Sequence, residues 1–173
     1  MENKYKFDSF LSFTLGYEYF AANVAKVLNI LEMVKITKVP KSPDYMLGVI
    51  NLRGSVLPLI DLRLKFGMEQ AEYTSQTCIL VLDIEIDNES LHVGALVDSV
   101  QEVLQVTSEN IQPSPNIGSK FKSEFIYGMT MQSEEFIMLL DMDRVFSTDE
   151  LTDLKQRSDK INKTKSAKLE ETG

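Results

Sequence analysis

The sequence contains one cysteine, one histidine and no tryptophan. Cys78 alone cannot form an internal disulfide, and with His92 as the only histidine neither a zinc cluster nor a set of Cys/His pairs can be assembled. No apolar run approaches the roughly 20 residues of a membrane-spanning helix. The first ten residues lack the basic region followed by an apolar stretch that marks a secretory signal. These absences predict a cytoplasmic protein without metal or cofactor.

Motifs for phosphate binding and nucleophilic catalysis are also missing: there is no GxGxxG, GxxxxGK[ST] or GxSxG. Acidic side chains outnumber basic ones by 26 to 18, which gives a net charge of −8. Such a surface repels nucleic-acid phosphates and anionic lipid. Asp61 and Asp141 could be proposed as a catalytic carboxylate pair, but helix capping explains both. The sequence therefore predicts a non-catalytic protein that binds no nucleic acid and does not insert into membranes.

Short apolar runs from Phe7 to Leu151 recur about every 8 to 12 residues, separated by Gly, Pro, Asn, Asp or Ser, as in all-β domains. In one place the spacing is helical: Val24, Val27, Leu28 and Leu31 predict a short helix within residues 23–33, capped by Asn23. Farther along, SLHVGALVDSV (90–100) reads as one strand after a turn at residues 87–88.

The last 22 residues, 152–173, differ in composition from the rest. They hold six basic and four acidic side chains and only three bulky apolar ones. Too little can be buried there to offset the entropy of ordering. The sequence thus predicts a domain over residues 1–151 and a polar, solvated tail over 152–173 that folding does not require.

An internal repeat is visible between residues 48–66 and 128–146. GVINLRGSVLPLIDLRLKF aligns without gaps on GMTMQSEEFIMLLDMDRVF, with glycine, aspartate and phenylalanine at matching positions. A second echo upstream sets Ala22, Val24, Val27 and Ile30 against Ala95, Val97, Val100 and Val103. Any two strand-turn-strand-helix units could share such alternation, but the common order favours a duplication. It predicts two β-rich lobes that pack over an apolar seam, with a groove between them.

The stretch GVINLRGSVLPLIDLRLKFG resembles the signature of the CheW family of chemotaxis coupling proteins. Its distinctive part is the order of residues 51–54, Pro58 and residues 61–63, present without a gap. FLSFTLG, VGALVDSVQEVLQV, NIQPSPN and FIYGM also resemble family segments, so the likeness covers residues 7–151. The resemblance implies an all-β fold with short helices, in which two SH3-like five-stranded β-barrel lobes pack on a shared hydrophobic core.

The resemblance also implies a function. Proteins of that family are non-catalytic adaptors that join the cytoplasmic tip of a chemoreceptor to the regulatory domain of the histidine kinase CheA, in signalling arrays at the membrane. It implies receptor contacts by Val27, Ile30, Arg53, Leu96 and Val97, and kinase contacts by Leu31, Ile36 and Met46. Gly54, Asp61 and Asp141 take structural roles in a turn and two caps. Where many members carry a glutamate that can pair with the arginine, this chain has Asn29.

Two alternative functions remain open. A related scaffold in a non-chemotactic sensory pathway would use the same surfaces, while a small hydrolase built on barrel lobes would need a polar pocket that this sequence does not supply. The role of Arg53 is open too: it is either a structural tie, for example to Glu32, or a group that projects toward a partner. Methionines such as Met131 suit an adaptable surface or ordinary core filling.

Overall fold

A computed structural model describes residues 7–113 and 125–146. The solvated tail predicted for residues 152–173 lies outside the described residues, as does most of the connection QPSPNIGSK. The described chain contains two single-turn helices, α1 (Leu62–Lys65) and α2 (Met142–Val145), and short 3-10 turns at Val24–Lys26 and Ser108–Asn110. Its ten strands are β1 (Phe7–Leu15), β2 (Glu18–Asn23), β3 (Val27–Glu32), β4 (Met46–Leu52), β5 (Ser55–Asp61), β6 (Cys78–Ile86), β7 (Glu89–Val97), β8 (Ser99–Thr107), β9 (Ile126–Gln132) and β10 (Glu135–Leu140).

The strands form two five-stranded sheets, which confirms the predicted two-lobed β architecture. Sheet A has the order β8-β1-β2-β10-β9, and sheet B has the order β3-β6-β7-β5-β4. Three hairpins turn on two residues that both have positive φ, as type I′ turns require, because that turn matches the twist of the strands. These pairs are Arg53–Gly54, Asp87–Asn88 and Ser133–Glu134.

Each sheet curls until its edges approach. In sheet B, Thr37 and Val49 exchange both backbone hydrogen bonds, at 2.9 and 2.8 Å, and so join the chain after β3 to β4. Gln112 and Met129 do the same in sheet A, at 2.7 and 2.8 Å. Gly48 permits the first closure, because a Cβ there would collide with the carbonyl oxygen of Thr37. The sheets are therefore barrel lobes.

The two lobes repeat each other in register. Leu11 pairs with Ala22 in sheet A as Leu80 pairs with Ala95 in sheet B. In the parallel pairing of each sheet, Leu140 lies beside Ala22 as Ile60 lies beside Ala95. The repeated segments 48–66 and 128–146 both form strand, two-residue turn, strand and single-turn helix, and they lie in different sheets.

The third strand of each half crosses to the other lobe. β3 follows β2 of sheet A but pairs with β6 of sheet B, whereas β8 follows β7 of sheet B but pairs with β1 of sheet A. Each crossing strand carries a bulge, which shifts the side-chain alternation by one residue. Val27 and Val100, before the bulges, pack against the seam, while Leu31 and Leu104, after them, pack inside the lobes.

The hydrophobic core has three parts. One cluster fills each barrel lobe, around Leu139 in sheet A and Leu59 in sheet B, and the largest cluster lies between the lobes. Three successive ring contacts run through this seam, at 6.0, 5.8 and 6.1 Å between centroids, along Phe13, Phe20, Phe66 and Phe125. Because Phe13 and Phe20 belong to sheet A and Phe66 follows α1 of the other lobe, the rings join the two lobes over a shared core.

The predicted helix in residues 23–33 is wrong. The cap at Asn23 is present, since its Oδ1 accepts the Ala25 N–H at 2.9 Å, but only one 3-10 turn follows before β3 begins at Val27. Pairing with β6 satisfies the backbone groups along one side of this segment, and β-branched residues favour a strand. The single strand predicted for residues 90–100 is likewise two strands, β7 and β8, which meet at Asp98.

Candidate partner-binding surface

The hairpin between β4 and β5 presents Arg53 to solvent. Arg53 has φ 52° and Gly54 φ 87°, and the Asn51 Oδ1 accepts the Gly54 N–H at 2.9 Å, which holds the turn. A positive φ is unfavourable for arginine, so the fold places this cation at the tip at some conformational cost. Arg53 makes no ion pair within residues 7–113 and 125–146, and the tie to Glu32 is not formed there.

The second arginine of the same motif is used differently. The Arg63 Nε donates to both carboxylate oxygens of Asp98, at 2.9 and 3.0 Å, and its Nη2 also contacts that carboxylate. The Asp98 Oδ2 in turn accepts the N–H of Gly16, in the β1–β2 turn, at 2.7 Å. Hydrogen bonding to Asp98 raises the pKa of the Arg63 guanidinium. Arg63 is therefore an internal tie between the lobes, whereas Arg53 is left available.

Strand β3 forms an exposed apolar edge. Its side chains alternate between half-buried and exposed, and the outward positions Leu28 and Ile30 are 50% and 46% exposed. Val27 is half-buried against the seam, and Leu31 is half-buried against the interior of sheet B. An edge strand with apolar outward residues is suited to contact with another protein.

Asn29 lies on the inward-facing side of the same strand. Its Oδ1 accepts the Ile30 backbone N–H at 2.8 Å, so the amide is occupied locally. β3 therefore offers Arg53 no carboxylate at this position, and the nearby Glu32 is exposed at the end of the strand.

The register of the barrel closure relates this edge to the arginine. Thr37 faces Val49 in an antiparallel bridge. Leu52, just before the turn, and Leu31 and Met33, at the end of β3, pack against the same buried cluster of sheet B. Val34 there is 41% exposed. The Arg53 turn and the apolar β3 edge thus belong to one end of the sheet B lobe, and we call residues 27–34 with Arg53 the β3 surface.

Other residues implied as contacts lie inside the protein. Leu96 and Val97, on β7, are 5% and 1% exposed, and Met46, on β4, is 4% exposed. Leu96 packs inside the sheet B lobe, and Val97 and Met46 pack in the seam between the lobes. Direct contact by these three residues stays a prediction, and their side chains expose almost no area in this structure.

The remaining sequence candidates have structural surroundings. Ile36 is half-buried and packs against the interior of sheet B. The Asp61 Oδ1 accepts the N–H groups of Arg63 and Leu64, at 2.9 and 3.3 Å, and the Asp141 Oδ1 accepts that of Asp143 at 3.2 Å. Burial raises the pKa of Asp61, while the two N–H donors oppose that rise. These carboxylates cap α1 and α2 in separate lobes.

Sequence reasoning missed a second apolar surface, on the hairpin of β9 and β10. Tyr127, Met131 and Phe136 are 59%, 50% and 48% exposed, and Phe136 pairs directly with Met131. Alternation at every second residue in IYGMTMQ was the available signal, but it does not tell which face is covered. Met131, the methionine singled out from the sequence, is one of these exposed residues.

The described residues show little sign of a chemical site. They contain no group of three or more side chains able to hold a metal ion, and no helix among them is long and apolar enough to cross a membrane. His92 is half-exposed, 3.8 Å from the Asp83 carboxylate.

The chain is similar to known proteins over most of its length. Residues 9–150 match the CheW-like domain. It is 34% identical over 142 residues to the Chemotaxis protein CheW of Klebsiella aerogenes, which covers 82% of this chain and 83% of that protein. It is 39% identical over 140 residues to the Probable chemotaxis protein CheW of Rhizobium etli, which covers 81% and 88%. The crystal structure of the scaffolding protein TtCheW from Thermoanaerobacter tengcongensis matches with a TM-score of 0.73 and 25% identity, covering 85% of this chain and 92% of that one.

Proposed function

Because this chain belongs to the CheW-like family, we propose that it is an adaptor that couples transmembrane chemoreceptors to the histidine kinase CheA. It is a non-catalytic scaffold protein of the chemotaxis type. Its place is in the cytoplasm, beside receptor arrays at the membrane. Its two partners are the cytoplasmic tip of a receptor and the regulatory domain of CheA.

The observation that carries the proposal is the exposed Arg53 turn beside an apolar strand edge. Arg53 is the one cation between Met46 and Leu62, and it has no ion-pair partner in the described part of the chain. A positive charge at the end of the lobe whose β3 edge carries exposed Leu28 and Ile30 supports an interface with both apolar and charged parts, as protein interfaces commonly have. We assign the β3 surface to the receptor, with Val27, Ile30 and Arg53 as its contact residues.

Kinase contact is assigned to the neighbouring positions Leu31 and Ile36. Both are half-buried, so a partner strand or loop must reach between the exposed residues to touch them. The proposed kinase contact therefore depends more on the shape of the lobe than the receptor contact does. It depends less on the charge of Arg53.

A charge reversal at Arg53 tests the receptor assignment. Purified Arg53→Glu and Arg53→Ala variants would be compared with the unchanged chain for binding to a receptor cytoplasmic fragment and to the regulatory domain of CheA. Reversal adds repulsion where alanine only removes attraction, so the glutamate variant should lose about tenfold or more in receptor affinity, and the alanine variant less. Binding to CheA should change little.

Arg144→Glu is the matched control. It is the same substitution at an exposed arginine of the other lobe, where only a 3.5 Å surface pair with Asp141 is disturbed. If the folded Arg53→Glu variant binds the receptor fragment and CheA as tightly as the unchanged chain does, a recognition role for Arg53 is refuted. A folded chain that binds neither fragment would refute the coupling function itself, and a different bound kinase would indicate a non-chemotactic pathway.

A further inference from the structure

The crossing into β3 begins at an ion pair between the two lobes. The Nζ of Lys26 lies 2.9 Å from the Oδ2 of Asp143, the second residue of α2. Lys26 is the last residue before β3, which belongs to sheet B, whereas α2 follows β10 of sheet A. The Oδ1 of Asp143 accepts the backbone N–H of Glu85, near the end of β6, at 3.1 Å. One carboxylate therefore joins the sheet A lobe both to the start of β3 and to the strand that pairs with it.

Few other contacts fix the turn that leads into β3. The 3-10 turn Val24–Lys26 contains no buried residue, and its first residue is 38% exposed. After the turn, β3 has only β6 as a neighbour among the described strands, and a bulge interrupts their pairing between Val27 and Asn29. Because burial and strand pairing hold this part of the chain only weakly, the ion pair has a large share in its placement.

The charge of Lys26 is set by three carboxylates. Partial burial acts against the charged form, but the hydrogen bond and the charge of Asp143, together with the charges of Glu85 and Asp83, outweigh it and raise the pKa of Lys26. The side chains of Lys26 and Asp143 are 27% and 32% exposed, so water screens the pair only in part. Removing the ammonium would leave these carboxylates without the positive charge that now lies among them.

The other crossing strand begins at an ion pair of the same kind, with the charges exchanged. Asp98, the last residue before β8, is paired with Arg63 of α1 and accepts the N–H of Gly16. Arg63 and Asp143 each lie two residues after the aspartate that caps their helix. The two N–H donors, Gly16 and Glu85, each lie five residues after strand positions that the repeat matches. The fold thus places a carboxylate with one cation and one N–H donor at the start of each crossing strand, which indicates a role in the crossing.

We propose that the Lys26–Asp143 pair positions the β3 surface for its partner, with both residues acting as positioning residues and neither as a contact. This inference rests on the proposed assignment of the β3 surface to the receptor. Val27 directly follows Lys26, and Ile30 lies on the same strand. A displacement of the start of β3 relative to α2 moves both of these assigned contact residues, so the pair controls receptor affinity from outside the interface.

Hydrogen exchange of the β3 amides tests the positioning without any partner. Lys26→Met keeps the length of the side chain and removes its charge, while Asp143→Asn keeps an oxygen for the Glu85 N–H. Each should speed exchange in β3 by about threefold or more and leave the amides of the β1–β2 hairpin unchanged. Lys26→Arg, which keeps the charge, should exchange like the unchanged chain. Lys38→Met is the control, since it is the same substitution at an exposed lysine after β3.

Binding to a receptor cytoplasmic fragment measures the consequence. Lys26→Met and Asp143→Asn should each weaken binding by about threefold or more, whereas Lys26→Arg and Lys38→Met should not. The double variant of Lys26→Met and Asp143→Asn should bind no more weakly than either single variant, because both changes remove the same contact.

Unchanged exchange in β3 of both charge-removing variants would overturn the proposal. A loss of receptor affinity in Lys26→Met but not in Asp143→Asn would overturn it as well, because Lys26 would then be a direct contact. If the unchanged chain binds the receptor fragment and both variants bind it as tightly, the positioning role is wrong and the proposed function stands. An unchanged chain that binds no receptor fragment refutes the proposed function, and the receptor role of the pair with it.

Discussion

Replacing Arg63 by alanine tests whether a single carboxylate ties the two lobes together. Arg63, on α1 of the sheet B lobe, and the N–H of Gly16, in the β1–β2 turn of sheet A, both donate to Asp98. The side chains of Arg63 and Asp98 are 20% and 25% exposed, so solvent screens this pair only in part. The substitution removes the guanidinium and leaves the Asp98 carboxylate with a single backbone donor among the described residues.

The expected loss follows from these contacts. A hydrogen bond to a charged partner contributes about 1.5 to 3 kcal/mol, and partial exposure reduces it, so we expect a loss of about 2 kcal/mol in unfolding free energy. For a domain of this size each kcal/mol changes the melting temperature by about 2 to 4 °C, which predicts a drop of about 4 to 8 °C. Thermal unfolding followed by circular dichroism measures it.

Arg53→Ala is the control, because it removes an exposed arginine from the same motif and should change the unfolding free energy by less than about 0.5 kcal/mol. A double-mutant cycle with Asp98→Ala then isolates the energy of the pair. A melting temperature of Arg63→Ala within about 1 °C of the unchanged chain, or zero coupling in the cycle, would show that the tie contributes nothing.

Two further predictions concern the caps and the barrel closure. Asp61→Asn keeps an oxygen for the α1 cap, and because burial raises the folded-state pKa of Asp61, the unchanged chain loses stability as the pH rises through that pKa. In urea unfolding, the free energy of unfolding of the asparagine variant should therefore rise relative to that of the unchanged chain as the pH increases from below 3.8. A constant difference across pH would contradict this. Gly48→Ala, at φ 149°, pushes a Cβ against the Thr37 carbonyl and to 3.0 Å from Ile36, so it should cost about 2 kcal/mol or more in thermal unfolding. Gly128→Ala, which meets the Gln112 carbonyl oxygen at 2.9 Å, should behave alike, and a neutral result for both would mean that the closures are dispensable.

Local pattern in the sequence was enough to predict most strands and the repeat. Apolar runs over β4 and β5, with Arg53–Gly54 between them, indicate a hairpin because glycine accepts the positive φ that such a turn needs. The ungapped match of residues 48–66 with 128–146 likewise identified two equivalent units. The hairpin signal lies within one short segment, and the repeat is found by comparing two such segments. Neither requires knowledge of which distant strands pair.

Features that depend on distant pairing were not predictable in this way. The apolar residues of Val24–Leu31 fit a helix as well as a strand, and the decision was made by β6, whose residues 78–82 pair with β3. The burial of Leu96 and Val97 depends on the central position of β7 in sheet B, which no local pattern encodes. The exposure of Met131 likewise depends on whether a distant segment of the chain packs over its face of β9.

The crossing of the third strands links the duplication to a scaffold function. Since β3 and β8 each complete the sheet of the other half, neither half can bury its seam alone, and the two lobes form one body. The crossing also leaves related apolar positions on both edges: Ile30 on β3 and Val103 on β8 are equivalent in the repeat, and they are 46% and 58% exposed. A protein that must hold two partners in a fixed relation needs two surfaces on a rigid frame. The duplicated lobes supply the rigid frame, and the two proposed contact sets, for the receptor and for the kinase, lie along β3 and the chain just after it.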